Sequence, residues 1–208
     1  MAVKFNPLSL ASVSLATVLT ISACSAIDDG SSGGNTDETS ASASELPSAD
    51  PQISDSLAPP VSSRKDSTGV ESCALLTADD ASGFGLEPEG SPEEAAAGTD
   101  YEPCRWLPAG ENTGGVVLYT DTERDGLEEI YRLESEYPDF RPLEIAGHPA
   151  VQATAGGADE FSCGIYVGLS DSQYLNILAQ RAAGVEEDLC MKAEKVAELA
   201  LSNIPGEA

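Results

Sequence analysis

The chain has 208 residues and carries 36 Asp plus Glu against ten Lys plus Arg, a formal net charge of -26. A surface so acidic repels phosphate backbones and anionic head groups, so nucleic acid is excluded as a partner. Any hold on a membrane must then come from something other than basic charge.

The first element is an address. Lys4 gives a positive start, Leu8, Leu10, Val13, Leu15, Val18 and Leu19 an apolar middle, and Ile21-Ser22-Ala23-Cys24 reads as a lipobox. A spanning helix does not fit, because the run falls short of about 20 residues and is interrupted by Ser9, Ser12, Ser14 and Thr17. Residues 1–23 are therefore read as a lipoprotein signal peptide and Cys24 as the acylated first residue of the mature chain. A buried methylene contributes about 0.8 kcal/mol and one acyl chain is marginal, so two or three chains on Cys24 would hold the protein on the membrane.

Residues 24–69 then change character, with Ser, Thr, Gly, Pro, Ala, Asp and Glu around isolated Ile27, Leu46, Ile53, Leu57 and Val61. That composition predicts a disordered linker with a reach of roughly 35 to 40 Å, lifting the following domain off the head groups. Its Ser/Thr content is compatible with glycosylation.

Residues 70–208 have the length of one ordinary domain. The four remaining cysteines, Cys73, Cys104, Cys163 and Cys190, are even in number in a chain read as exported, which argues for two disulfides. A metal site is not expected: there is no C-x-x-C pair, and the single histidine, His148, has no ligand neighbour at useful spacing. Three pairings are open. The favoured one joins Cys73 to Cys104 and Cys163 to Cys190, closing two similar loops.

In chain order, Thr77 and Asp80 have the spacing of a capping box opening a helix that Gly83 and Gly85 end. Residues 87–100 read as an exposed loop. Cys104-Arg105-Trp106-Leu107 and residues 116–120 read as a hairpin, with the single tryptophan, Trp106, expected beside a disulfide on the core face. Residues 121–136 predict a helix with Leu127, Ile130 and Tyr131 inward. The start of that stretch resembles a calcium loop, but Arg132 stands where a bidentate Glu is required, so helix capping by Asp121 or Thr122 is preferred. Pro138 and Pro142 precede a strand at residues 143–145, a turn at Gly147-His148-Pro149 with His148 exposed, and a strand at residues 150–154.

Cys163, Ile165, Val167 and Leu169 alternate with Ser162, Gly164, Tyr166 and Gly168, the clearest strand in the chain, whose second face is nearly bare. Residues 174–180 return as its hairpin partner. Leu189, Ala193, Val196, Ala200 and Ile204 then form the apolar stripe of a final helix with Lys192 and Lys195 in water, stopped by Pro205-Gly206. Adjacent pairs of short strands without crossover helices predict an α+β domain: a mostly antiparallel sheet of hairpins packed with about three helices. A ligand pocket is expected between the bare strand face and the helices, with Tyr166 as a hydrogen-bonding handle and Trp106 and Tyr174 as walls.

With these residues in place the chain resembles the actinobacterial lipoproteins of the domain-of-unknown-function 3558 family. The carriers are the lipobox cysteine, C-A-L-L-T from Cys73, C-R-W from Cys104, G-H-P-A from Gly147, the strand around Cys163, and Cys190 opening a helix that ends N-I-P. The resemblance implies an envelope lipoprotein and supplies no catalytic residue. The functional expectation is a binding or partner module at the extracytoplasmic face of the cell membrane, anchored through Cys24. It would meet an envelope protein or a small apolar ligand, without a cofactor and without enzymatic activity. A structural subunit of an envelope complex is the alternative, and a hydrolase of envelope material ranks below both.

Overall fold

The computed structural model describes residues 56–95, 98–99, 101–111, 113–159, 161–182 and 184–207. Its strands are β1 (Ser91–Pro92), β2 (Cys104–Trp106), β3 (Gly115–Asp121), β4 (Arg141–Ile145), β5 (His148–Gln152), β6 (Ser162–Gly168) and β7 (Tyr174–Gln180). They form one antiparallel sheet in the order β1-β2-β3-β7-β6-β5-β4. The helices are α1 (Ala78–Gly83), α2 (Leu127–Arg132) and α3 (Leu189–Ser202), with 3₁₀ turns at Ser72–Ala74 and Glu134–Glu136. The domain is thus α+β, and the hairpins expected from neighbouring runs, β2 with β3, β4 with β5 and β6 with β7, all form. The pairing that joins them, Gly115 with Gln180 through Asp121 with Tyr174, is long-range.

One face of the sheet carries the main core. Strand alternation puts Leu118, Ile165, Val167, Leu175 and Ile177 there, all fully buried against the stripe Ala193, Val196, Ala197, Ala200 and Leu201 of α3. Asp188 caps α3 by accepting from the Met191 amide at 3.0 Å. The Cys163–Cys190 bridge ties β6 to the first turn of α3, and Cys73–Cys104 ties the first 3₁₀ turn to β2, so the pairing is sequential. Trp106 lies fully buried on this face beside Cys104. Gly90 crosses directly over both: a Cβ there would come within 2.5 Å of Cys104 Sγ and 2.6 Å of the indole, so only glycine fits without displacement. The capping box of α1 forms as expected, Thr77 Oγ1 accepting from the Asp80 amide at 3.2 Å and the Thr77 amide donating to Asp80 at 3.2 Å.

Several expectations require correction. The helix expected over 121–136 occupies only 127–132, followed by a 3₁₀ turn. Asp121 is drawn into β3 and its carboxylate accepts from the amides of Glu123 and Arg124, making a turn in place of the first helical turn. Gly126 then opens α2 at φ 56°, packed so near the Ser170 and Asp171 carbonyls that a Cβ would sit 2.9 and 2.8 Å from them. His148 is buried, not exposed. The turn between β4 and β5 is Ala146-Gly147, both at positive φ, which places His148 in the strand with Nδ1 donating to the Gly168 carbonyl at 2.9 Å. Lys192 is 8% exposed, not in water, and its Nζ reaches Glu187 at 3.0 Å.

The linker expected to run to Gly69 is shorter, since the described chain from Ser56 already packs on the sheet. Lys65 donates its amide to the Leu169 carbonyl and Asp66 to that of Pro205, the Ser67 amide donates to Gln173, and Val61 is buried. Cys24 and the rest of the expected signal and linker lie outside the described residues.

Candidate functional site

The opposite face of the sheet is built from tyrosine. Register places Tyr119, Asn176, Tyr166 and Val151 in one row across β3, β7, β6 and β5, and Tyr174 beside them opposite Gly168. Tyr101 stacks on Tyr119 with ring centroids 3.9 Å apart and planes 4° from parallel. Tyr119 then meets Tyr174 at 6.4 Å, Tyr174 meets Tyr166 edge to face at 5.4 Å, and Tyr166 meets Tyr137 at 6.3 Å. Five rings therefore run in contact across the sheet, the Tyr101–Tyr119 pair stacked and the other three pairs at separations at which aromatic rings attract. The sixth tyrosine, Tyr131 on α2, packs edge to face on Phe140 at 5.1 Å.

Irregular elements roof this face. Leu127 and Ile130 of α2, with Ala58, Phe140 and Tyr137, complete a second, smaller core. Asp139 pins the segment carrying Tyr137 and Phe140 by accepting from the Thr154 amide at 2.9 Å, Thr154 Oγ1 at 2.8 Å and Gln152 Nε2 at 3.1 Å. Burial alone would raise its pKa, but these three donors outweigh burial and hold the carboxyl below its ordinary range. Asn176, buried at the centre of the row, spends its amide on the Ile165 carbonyl at 3.2 Å.

Tyr119, Tyr166 and Tyr174 keep their phenol protons. Burial, reinforced by Tyr166 and Tyr174, pushes the Tyr119 hydroxyl far above its ordinary value. Burial and then Tyr137 do the same for Tyr166, and burial and then the Asp121 carboxylate for Tyr174, whose hydroxyl lies 3.4 Å from Asp121 Oδ2. Such hydroxyls donate and accept hydrogen bonds without becoming nucleophiles. Tyr119 and Tyr166 are half-buried, so part of the face stays accessible.

At the β3 end of the tyrosine row the surface opens into a cleft of about 730 Å³ between residues 67–73, 98–99, 101–103 and 120–124. Tyr101 forms part of its wall. Asp121 is spent, holding the Glu123 and Arg124 amides and the Arg124 guanidinium at 3.3 Å, while Arg124 also pairs with Glu129 at 2.8 Å.

The expected trio of ligand contacts divides. Tyr166 and Tyr174 come together, but Trp106 belongs to the other face, separated from them by the sheet, because its register partner Val116 faces the α3 core. The bare strand face is covered at Gly168, where a Cβ would meet Leu127 and Val61 at 3.1 Å. Sequence reasoning missed Tyr101, Tyr119 and Tyr137. Tyr119 follows an unbroken apolar run, so alternation assigns it no face, and the other two enter from irregular segments.

The family model described as a protein of unknown function, DUF3558, matches residues 19–203. The chain belongs to the DUF3558 family. The match covers both disulfides, the whole sheet and α3, so the tyrosine face and its cleft lie within the family's domain. No curated protein and no solved structure matches the chain.

Proposed function

We propose that this family member is a lipid-anchored binding module of the actinobacterial type, held at the extracytoplasmic face of the membrane by acyl chains on Cys24. The tyrosine face and the cleft beside it then receive the ligand. The observation that carries this reading is the asymmetry of the sheet: α3 and residues 72–86 together bury one face, whereas the other keeps half-buried Tyr119 and Tyr166, and Tyr101, stacked on Tyr119, opens onto a cleft of about 730 Å³. Hydrolysis is less well supported, because the tyrosine hydroxyls are held protonated and His148 spends its Nδ1 on a backbone carbonyl inside the core.

Two measurements test it. Mass spectrometry of the N-terminal peptide from native membranes should find Cys24 carrying diacylglycerol, and Cys24→Ser should release the chain to the soluble fraction; an unmodified Cys24 would remove the anchor. A photo-reactive residue at position 119 should give discrete adducts in intact cells that one at Glu198, on the exposed side of α3, does not. Equal labelling from both positions would remove the binding face.

A further inference from the structure

We infer that the cleft beside Tyr101 is a site for a small organic ammonium ion, which rests on reading the chain as a binding module and names its ligand class. Three observations converge. The Tyr101 ring has one face occupied by Tyr119, stacked at 3.9 Å, yet it is half-buried and lines the cleft, so the ring surface left over is what the cleft presents. An aromatic face attracts a cation by its quadrupole, and a ring already stacked from behind is held in place to do so.

The charges of the wall point the same way. Arg124, the cation lining the cleft, is committed to Asp121 and Glu129, so it does not offer itself to an anion. Glu71 and Glu102 line the cleft and are exposed, and their carboxylates have no hydrogen-bond or ion-pair partner among the described residues. Two unpaired carboxylates in a chain of net charge -26 create a local potential that concentrates cations. A metal ion fits less well, because no three His, Cys, Asp or Glu side chains gather closely enough to hold one among the described residues. An ammonium group needs no converged ligand set: it takes one ring face and diffuse negative charge, and the cleft has room for the carbon atoms attached to it.

The test is a titration of the full-length chain, with isotope-labelled tyrosine followed by magnetic resonance, using choline and its neutral isostere 3,3-dimethylbutan-1-ol. Choline should shift the Tyr101 ring signals saturably. The alcohol should bind at least about fivefold more weakly, the factor that a cation–ring contact of about 1 kcal/mol sets. Raising salt from about 20 to about 200 mM should weaken choline severalfold, as should Glu71→Gln combined with Glu102→Gln, both exposed positions whose change leaves the fold intact. N-acetyl-lysine amide and dihexanoyl phosphatidylcholine, run alongside, assign the source: tighter binding of either identifies a side chain or a head group as the carrier of the ammonium. Equal binding of choline and the alcohol overturns the inference, as does a choline response that the double variant leaves unchanged. Neither result touches the cross-linking from position 119, so failure of the ligand class is distinguishable from failure of the binding module.

Discussion

The two faces of this sheet are built by different means. Under α3, regular alternation and a helical stripe bury aliphatic side chains completely, and two disulfides fasten the layer, one on β2 and one on β6. On the other face, short and irregular pieces roof a set of tyrosines of which Tyr119 and Tyr166 remain partly exposed, held by single carboxylates such as Asp139 and Glu128. Regular elements bury apolar area at low ordering cost per residue; loops order one residue at a time and recover less. The first face therefore sets global stability, and the second has the lower local stability from which binding surfaces are drawn.

The severest way to break the first face is to cut its covalent tie. Replacing Cys163 and Cys190 together by Ala opens a loop with 27 residues of separation and should cost about 3.5 kcal/mol, measured as a lower denaturant midpoint. The tyrosine face should lose hydrogen-exchange protection only through global unfolding.

A sharper comparison sets one residue against another on the same strand pair. Ile177→Ala, fully buried under α3, should cost about 3 to 4 kcal/mol, whereas Tyr166→Ala, half-buried opposite the neighbouring position, should cost about 1 to 2 kcal/mol because water fills the space. Equal costs in denaturant titrations would mean that the tyrosine face is as dry as the other, and the asymmetry argument would fail.

How much of this was readable follows from what each face uses. Period-two alternation at Cys163, Ile165 and Val167, the Thr77 and Asp80 capping spacing, and the apolar stripe of α3 are local signals, and they specify the first face well. The pairing of β3 with β7 is non-local, with a sequence separation of 53 between Asp121 and its partner Tyr174, and no short-range pattern encodes it. His148 shows how little margin a turn leaves. Ala146 adopts φ 49°, a conformation alanine rarely takes, and shifting the turn by one residue moves the imidazole from solvent into the core. Trp106 lies beside its disulfide as expected, yet on the face opposite Tyr166 and Tyr174, since a strand's face is fixed only once its partner is known.

Smaller effects separate the two faces by pH. The Asp139 carboxyl has its folded value depressed, so its contribution is complete above the ordinary carboxylate range and is lost as pH falls through the depressed value. Asp139→Asn should therefore cost about 1 to 2 kcal/mol near neutrality and almost nothing in strong acid, where the native carboxyl is itself protonated. Denaturation at pH 7 and at low pH checks this, and a cost independent of pH would show that shape rather than charge holds the Tyr137 segment.

The smallest effect falls on the strap at residues 56–61. Glu128 Oε2 accepts from the Ala58 and Leu57 amides at 3.1 and 2.9 Å and from Ser56 Oγ at 2.8 Å. The Ala58 amide is the main reason its carboxyl sits below the ordinary value, with Ser56 next. The strap's hold should thus be full above the ordinary glutamate range and fail as pH drops through the lowered value. Glu128→Gln should change global stability by less than about 0.5 kcal/mol, yet raise proteolytic cleavage within residues 56–60 severalfold at neutral pH. The strap's other purchase is Val61, which with Leu127 packs over Gly168, where a Cβ would lie 3.1 Å from each. If the variant leaves cleavage unchanged, that apolar contact carries the strap and Glu128 only aligns it. Gly168→Ala, which pushes Val61 and Leu127 outward, should then release the strap where the charge change did not.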